Sequence, residues 1–259
     1  MEVIIRPDAA AAVDLVSRLI QACIRRSPAT VLGLATGRTM EQLYAHLVAS
    51  GVSFRQCTSF NLDEYIGLPA EHPQSYRHYM HQHLFSRTDF QLHNTHVPEG
   101  DAADLSRAAQ RYEEKIKSVG GIDLQLLGIG EAGHIGFNEP LSAIMSRTRD
   151  KCLTPTTRRQ NAAMFGGNPE LVPKRALTMG VGTILEAREI ILLATGHSKS
   201  AVIAKAVEGP ITSMISASAL QLHPDCKVVV DEAAATDLQG REYYDFVFAN
   251  EPQWAAFRK

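Results

Sequence analysis

"IDLQLLGIGEAGHIGFNEP", residues 122–140, is the stretch from which the fold is read. It opens on a short apolar run of the kind that fills the middle of a parallel sheet. It then passes through Gly128, Gly130, Gly133 and Gly136, with His134 and Glu139 among them. Glycines after a strand let the backbone take φ > 0 or come close to a ligand. Titratable groups on such a loop are more often chemical than structural. The plain alternative is a tight turn in which His134 is a hydrogen-bonded loop residue, and this stretch alone does not choose.

Working outward, the same pattern recurs. "EVIIR" (2–6) reads as a strand, followed by a helix that Asp8 caps and whose Ala12, Leu15, Leu19 and Cys23 share one face. "TVLGLA" (30–35) and "CTSFNLD" (57–63) read as strands, each followed by a helix, "MEQLYAHLV" and "SYRHYMHQHLF". "DLSRAAQRYEEKIKSVGG" is a helix capped by Asp101 or Asp104, with Leu105, Ala109, Tyr112, Ile116 and Val119 as its stripe and Gly120 as its end. "EIILLATG" (189–196) and "KVVVDE" (227–232) are further strands around the helix "KSAVIAKAVEG". Apolar strands alternating with helices predict an α/β fold: one doubly wound, mostly parallel, Rossmann-like sheet with helices on both faces. We expect a single domain over residues 1–259. The Gly/Pro-rich stretch 166–173 reads as a mobile loop.

Composition narrows the function. Apolar residues make up 45% of the 259, enough for a sizeable core, and the net charge of −2 offers no basic field for nucleic acid. Cys23, Cys57, Cys152 and Cys226 are far apart and form no CxxC pair, which reads as reduced thiols of a cytoplasmic protein. The N-terminal residues lack the basic start and apolar run of a signal peptide, and no apolar run reaches the ~18 residues of a membrane span.

Four of the strands end in chemically capable loops. "ATGRT" (35–39) leaves a strand and opens a helix, so Thr36, Gly37, Arg38 and Thr39 can surround an anion with amides and hydroxyls. It is not a nucleotide P-loop, because GxxxxGK[ST] is absent. In the plain alternative Thr39 is just the helix N-cap. "TGHSK" (195–199) repeats the arrangement and adds Lys199, so the two loops together suggest a monophosphate. "NLDEY" puts Asp63 and Glu64 at a strand end, where alternation turns one inward and the other away. A shielded carboxylate can act as a base. "RHYMHQH" carries His78, His81 and His83, with His93 and His96 beyond, but a zinc site needs a coherent triangle with supporting partners, and we expect no metal here.

"SFNLDEYIGLPAEHPQSY", "GHIGFNEP", "SRTR", "VPKRALTMGVGTIL" and "LQLHP" together closely resemble the isomerising glucosamine-6-phosphate deaminases, in the right order from about Val3 to about Glu232. The 6-phosphogluconolactonases share that fold but lack "FNEP". The resemblance implies an enzyme without cofactor that converts glucosamine 6-phosphate and water to fructose 6-phosphate and ammonia. It implies Asp63 as the base that moves a proton from C2 to C1, His134 as the acid/base of ring opening, and Glu139 as its support. Thr36 to Thr39 and Lys199 would hold the phosphate, with Glu64 and Gly133 also at the substrate and a mobile lid around residues 155–175. Rival readings are a lactonase on the same scaffold and a sugar-phosphate sensor without activity.

Two departures stand out. The carboxylate that many members carry just before the histidine is absent at Ala132, with Glu131 one step off and expected to point elsewhere. A lid arginine of the family is replaced by Ala163, and Arg158 and Arg159 lie nearby without aligning to it. Some members are hexamers activated by N-acetylglucosamine 6-phosphate, so homo-oligomer assembly is implied as well. Ser142, Arg149 and Lys151 match their effector-site residues, and the plain alternative makes these three ordinary surface residues.

Overall fold

A computed structural model describes residues 1–258. The elements run β1 (Glu2–Arg6), α1 (Ala9–Arg26), β2 (Val31–Leu34), α2 (Arg38–Ala49), β3 (Thr58–Asn61), β4 (Asp63–Tyr65), α3 (Tyr76–His83), β5 (Thr95–His96), α4 (Leu105–Ser118) and β6 (Leu124–Leu127). They continue as β7 (Arg149–Cys152), α5 (Pro155–Asn161), β8 (Arg175–Thr178), α6 (Val181–Leu185), β9 (Glu189–Ala194), α7 (Ser200–Val207), β10 (Cys226–Asp231) and α8 (Arg241–Asn250).

Seven strands form one sheet in the order β1-β10-β9-β6-β2-β3-β5, and every pairing in it is parallel. All residues of β2 and β6, and Ile190–Ala194 of β9, are buried. Side chains alternate across a strand, so unbroken burial means that both faces of the sheet are covered. Starting from β2 the chain moves outward through β3 and β5, then returns to the other side of β2 with β6, β9 and β10. The expected doubly wound sheet is therefore present, with its reversal of direction between β2 and β6.

Local chemistry explains the helix starts. Asp8 and Asp104 accept hydrogen bonds from the third residue on, Ala11 and Arg107, at 2.8 and 2.9 Å. The α4 stripe is led by Ala108, Ala109, Tyr112 and Ile116 and includes Glu113; Val119, expected in it, is 40% exposed. In β2, Gly33 lies beside the buried Gln125 of β6, and a Cβ there would come within 2.1 Å of the Gln125 Oε1. Only a glycine leaves room for that side chain.

Two features depart from the expected single sheet. "CTSFNLD" is not one strand. Its chain leaves the main sheet at Leu62, whose N–H donates to the Leu34 carbonyl at 3.1 Å while its own carbonyl accepts from Met179 at 2.7 Å. Asp63–Tyr65 then joins a second, three-stranded antiparallel sheet in the order β4-β8-β7. Helix α2 also begins earlier than expected, at Arg38, with Gly37 rather than Thr39 as its N-cap and no side chain capping it.

Candidate active site

The four loops flagged above leave β9, β6, β2 and β3, which are four consecutive neighbours in the sheet. Their carboxyl ends flank the reversal point, where open α/β sheets bind ligands. The crossing at Leu62 puts Asp63 at the mouth of this crevice and commits the strand that carries it to the second sheet.

Asp63 is 6% exposed. Burial first, and repulsion from Glu64 second, push its carboxyl up to about 8, against a downward pull from the Phe137 amide. The loop after β6 lies directly on it: a Cβ on Gly136 would sit 3.2 Å from Asp63 Oδ2 and 3.1 Å from Thr178 Oγ1. Gly136 has φ +54°, a second reason for glycine there. A carboxyl that holds its proton near neutrality, in a site with little water, is suited to taking and returning a proton.

The same loop brings in His134, 8% exposed, with its Nδ1 3.6 Å from Glu139 Oε2. That separation is too long for a hydrogen bond and becomes an ion pair only when the imidazole is protonated, and Nδ1 has no hydrogen-bond partner among the described residues. Burial lowers the proton affinity of His134, Glu139 raises it, Lys199 lowers it and Glu131 raises it. Glu139, 2% exposed, is held from behind: its Oε1 accepts from the Thr154 N–H at 2.9 Å, and the Thr154 hydroxyl lies 3.3 Å from each oxygen. Glu131 is exposed, yet its charge is felt at both His134 and Lys199.

Lys199 reaches across to the same loop, its Nζ donating to the Ile129 carbonyl at 2.9 Å, and burial lowers its proton affinity. Ahead of it Gly196 has φ +89° and gives its N–H to Asp231 Oδ1 at 2.9 Å. On the facing loop Gly37 has φ +127°, and the Tyr79 hydroxyl fixes its carbonyl at 2.8 Å. Thr36 stands close enough to the Tyr76 hydroxyl to offset a little of the upward push of burial on its proton affinity. Arg38 is exposed and stands with Thr39 in the first turn of α2, where N–H groups have no partner within the helix. Gly133 has φ +80°, and a Cβ there would come within 2.6 Å of Ile215.

Glu64 does not join the crevice. Its carboxylate accepts from the amides of Tyr65, Tyr76 and Arg77 at 2.8, 2.9 and 2.9 Å, where it anchors the start of α3. It lines a separate hollow of about 120 Å³ with Arg77, Gly100 and Asp101. Burial pushes it up to about 7. In this arrangement the Glu64 carboxylate serves the start of α3.

The three effector-type residues are not ordinary surface. Ser142 is 2% exposed and donates to the Glu139 carbonyl at 2.7 Å. Arg149 is half-buried and donates to Asn138 Oδ1 at 2.8 Å. Lys151 shares a face of β7 with it. His78, His81 and His83 lie on α3, where the His83 ring sits 4.4 Å from that of Tyr79; among the described residues no group of three His, Cys, Asp or Glu is placed to hold a metal.

Sequence reasoning missed the contacts made by α5. Thr154 at its N-cap holds Glu139, Gln160 Oε1 accepts from the Glu131 amide at 3.1 Å, and Asn161 donates to the Tyr65 hydroxyl at 3.0 Å. "TPTTRRQN" carries no apolar period, so only its Thr-Pro start signalled a helix cap. Ala163 is exposed just beyond, and Arg158 is occupied with the carbonyls of Pro169 and Val172.

Residues 8–228 match the family model described as glucosamine-6-phosphate isomerases/6-phosphogluconolactonase. A protein of Shewanella loihica called glucosamine-6-phosphate deaminase is 51% identical over 253 residues, 96% of this chain and 94% of its own. One of Rhodopirellula baltica with the same name is 53% identical over 245 residues, 93% of this chain and 97% of its own. Among solved structures, a monomeric glucosamine-6-phosphate deaminase superposes with a TM-score of 0.89 at 41% identity, covering 92% of this chain and all of that one. A 6-phosphogluconolactonase from Trypanosoma cruzi has a TM-score of 0.75 at 22% identity, covering 92% of this chain and 97% of its own, which extends the likeness to the fold alone.

Proposed function

Because this chain belongs to the family of glucosamine-6-phosphate isomerases and 6-phosphogluconolactonases, we propose that it is an enzyme converting glucosamine 6-phosphate and water to fructose 6-phosphate and ammonia. One observation carries the reading: a buried carboxyl of raised proton affinity, Asp63, lies under the loop that holds a buried histidine–carboxylate pair, His134 and Glu139. In this reading His134, paired with Glu139, moves the proton that opens the pyranose ring. Asp63 takes the C2 proton of the open-chain sugar, leaving an enolamine, and returns it at C1. The resulting C2 imine adds water and loses ammonia, leaving the ketone. Ring opening needs a group that titrates near neutrality, and the carbon-to-carbon transfer needs one carboxylate beside both carbons.

Thr36, Gly37, Arg38, Thr39 and Lys199 hold the phosphate, with Gly133 letting the loop approach the sugar. Segment 155–175 acts as the lid, a role supported by the three contacts that pin α5 to Glu139, Glu131 and Tyr65. Glu131 supplies part of the field that a carboxylate at position 132 would give. A cytoplasmic location is supported by four free cysteines, three of them buried. Among the described residues no helix is long and apolar enough to cross a membrane.

The deciding experiment is a coupled ammonia-release assay on glucosamine 6-phosphate, with galactosamine 6-phosphate alongside. Release from the first is the expected result. Tight binding without release would point to a sensor, and hydrolysis of 6-phosphogluconolactone instead would point to the other branch of the family.

The phosphate seat makes its own prediction. Lys199→Ala is expected to raise KM ~10- to 100-fold with a smaller change in kcat, because the phosphate is held alike in ground and transition states. Unphosphorylated glucosamine should be a very poor substrate. Equal kcat/KM for the two sugars would remove the anion-site reading of both threonine–glycine loops.

A further inference from the structure

We propose that Thr154 is a positioning residue for the His134–Glu139 pair, tying the seating of α5 to the competence of the histidine. The geometry is specific. Thr154 gives its N–H to Glu139 Oε1 at 2.9 Å, while its hydroxyl lies within 3.3 Å of both carboxylate oxygens. The other oxygen, Oε2, is the one 3.6 Å from His134 Nδ1. Thr154 is also the N-cap of α5, its Oγ1 accepting from the Thr157 N–H at 3.2 Å and lying 3.1 Å from Thr157 Oγ1. One side chain therefore closes the first turn of α5 and fixes the carboxylate behind the histidine.

Glu139 is otherwise on a loop that Ser142 braces only through the Glu139 backbone carbonyl. Its carboxylate has no other described hydrogen-bond donor, so Thr154 alone decides where Oε2 points. If α5 lifts, Thr154 lifts with it and Glu139 is free to swing. Closure of the segment that covers the site and readiness of the acid/base pair become one event. This inference rests on the reading of His134 as the ring-opening group.

The charges facing His134 are Glu139, Lys199 and Glu131. Burial and Lys199 oppose its protonation, and Glu139 is the larger of the two groups that favour it. Letting Glu139 swing away should therefore lower the proton affinity of His134.

The test uses three variants of the full-length protein, with folding checked by thermal melting. Thr154→Val removes the hydroxyl and is expected to lower kcat ~3- to 10-fold with KM within about twofold. It should also move the His134 titration, followed by NMR of its ring carbons, to lower pH by ~0.5 unit or more. Thr154→Ser keeps the hydroxyl and should recover both. Thr154→Asp, also a favoured N-cap, keeps the backbone N–H but has a side chain that cannot donate to Glu139, and should not recover kcat. An unchanged His134 titration in Thr154→Val, failure of Ser to rescue, or recovery by Asp would each overturn the proposal and leave Thr154 a helix cap. The NMR titration needs no turnover, so it still reads Thr154 if the proposed reaction itself fails in the ammonia assay.

Discussion

Asp63→Asn should lower kcat on glucosamine 6-phosphate by ~10²–10⁴-fold, the usual worth of general acid–base catalysis, with a much smaller change in KM. The amide is close in shape to the carboxyl, but it cannot carry the C2 proton. The pH profile adds a signature. Burial, then Glu64, hold the Asp63 carboxyl up at about 8 in the free protein, and a base must be ionised to act. Wild-type kcat/KM should therefore rise through that region, and whatever activity the variant retains should lack the rise. Steady-state ammonia release across pH ~5–9 checks both. A variant with near-native kcat would remove Asp63 from the chemistry.

The same substitution carries a stability effect of opposite sign to an ordinary core defect. Asp63 titrates near 3.8 when unperturbed and at about 8 when folded, so between those limits the folded state holds a proton that the unfolded chain has released. Stability is then lost as pH rises across that window. Asparagine does not titrate. The variant should melt above the wild type at pH ~8, with the difference shrinking toward pH ~4, by up to several kcal/mol at one pKa unit per ~1.4 kcal/mol. Glu64, pushed up to about 7, adds a loss of the same sign but is present in both proteins and cancels in the comparison. An inactive variant that is more stable at alkaline pH separates lost chemistry from lost folding.

Legibility in the sequence followed the length scale of each signal. Six of the seven strands of the main sheet were readable because they are largely buried on both faces and bounded by turn residues, and the strand order then placed the four flagged loops side by side; the edge strand β5, two residues long, gave no such signal. The second sheet was not readable. Strand β4 has three residues, β7 is the polar "RDKC", and their shared partner β8 lies far along the chain. Alternation correctly set Asp63 and Glu64 on opposite sides of a strand. It could not say that the Glu64 side would meet the N-terminus of α3, which is a tertiary event. His134 announced itself through its glycines, whereas Thr154, Gln160 and Asn161 looked like any polar helix. Their meaning appears only when α5 is seen to touch Glu139, Glu131 and Tyr65.

Gly130→Ala is expected to cost kcat ~10²-fold while the protein still folds, and the reason is the tightness of the loop around His134. A Cβ at position 130 would stand 2.2 Å from both Cε1 and Nε2 of the imidazole and 2.7 Å from Cδ2, so the ring must move. Nothing around it yields easily. The Gly130 N–H donates to the His134 carbonyl and the Gly130 carbonyl accepts from the Gly133 N–H, both at 2.9 Å, which fixes the backbone of the turn. Ile129 next door is held by Lys199, and Glu139 and the Phe137 ring are further neighbours of the imidazole, at 3.6 Å from Nδ1 and 6.5 Å between ring centroids. The strain therefore falls on the imidazole, and a displacement of ~1 Å in a reacting group is worth about 10² in rate. Overpacking of this kind costs ~1–3 kcal/mol, a melting shift of several degrees in a chain of this size. Gly51→Ala is the control: Gly51 has φ +66°, and a Cβ there would meet nothing within 4 Å, so the substitution strains the backbone without touching the site and should lose stability but not kcat. Kinetics and melting of the two variants side by side decide the matter. Near-native kcat in a folded Gly130→Ala protein would mean that the position of the His134 ring does not limit turnover, whereas loss of kcat in both variants would mean that the effect is one of stability and not of the loop.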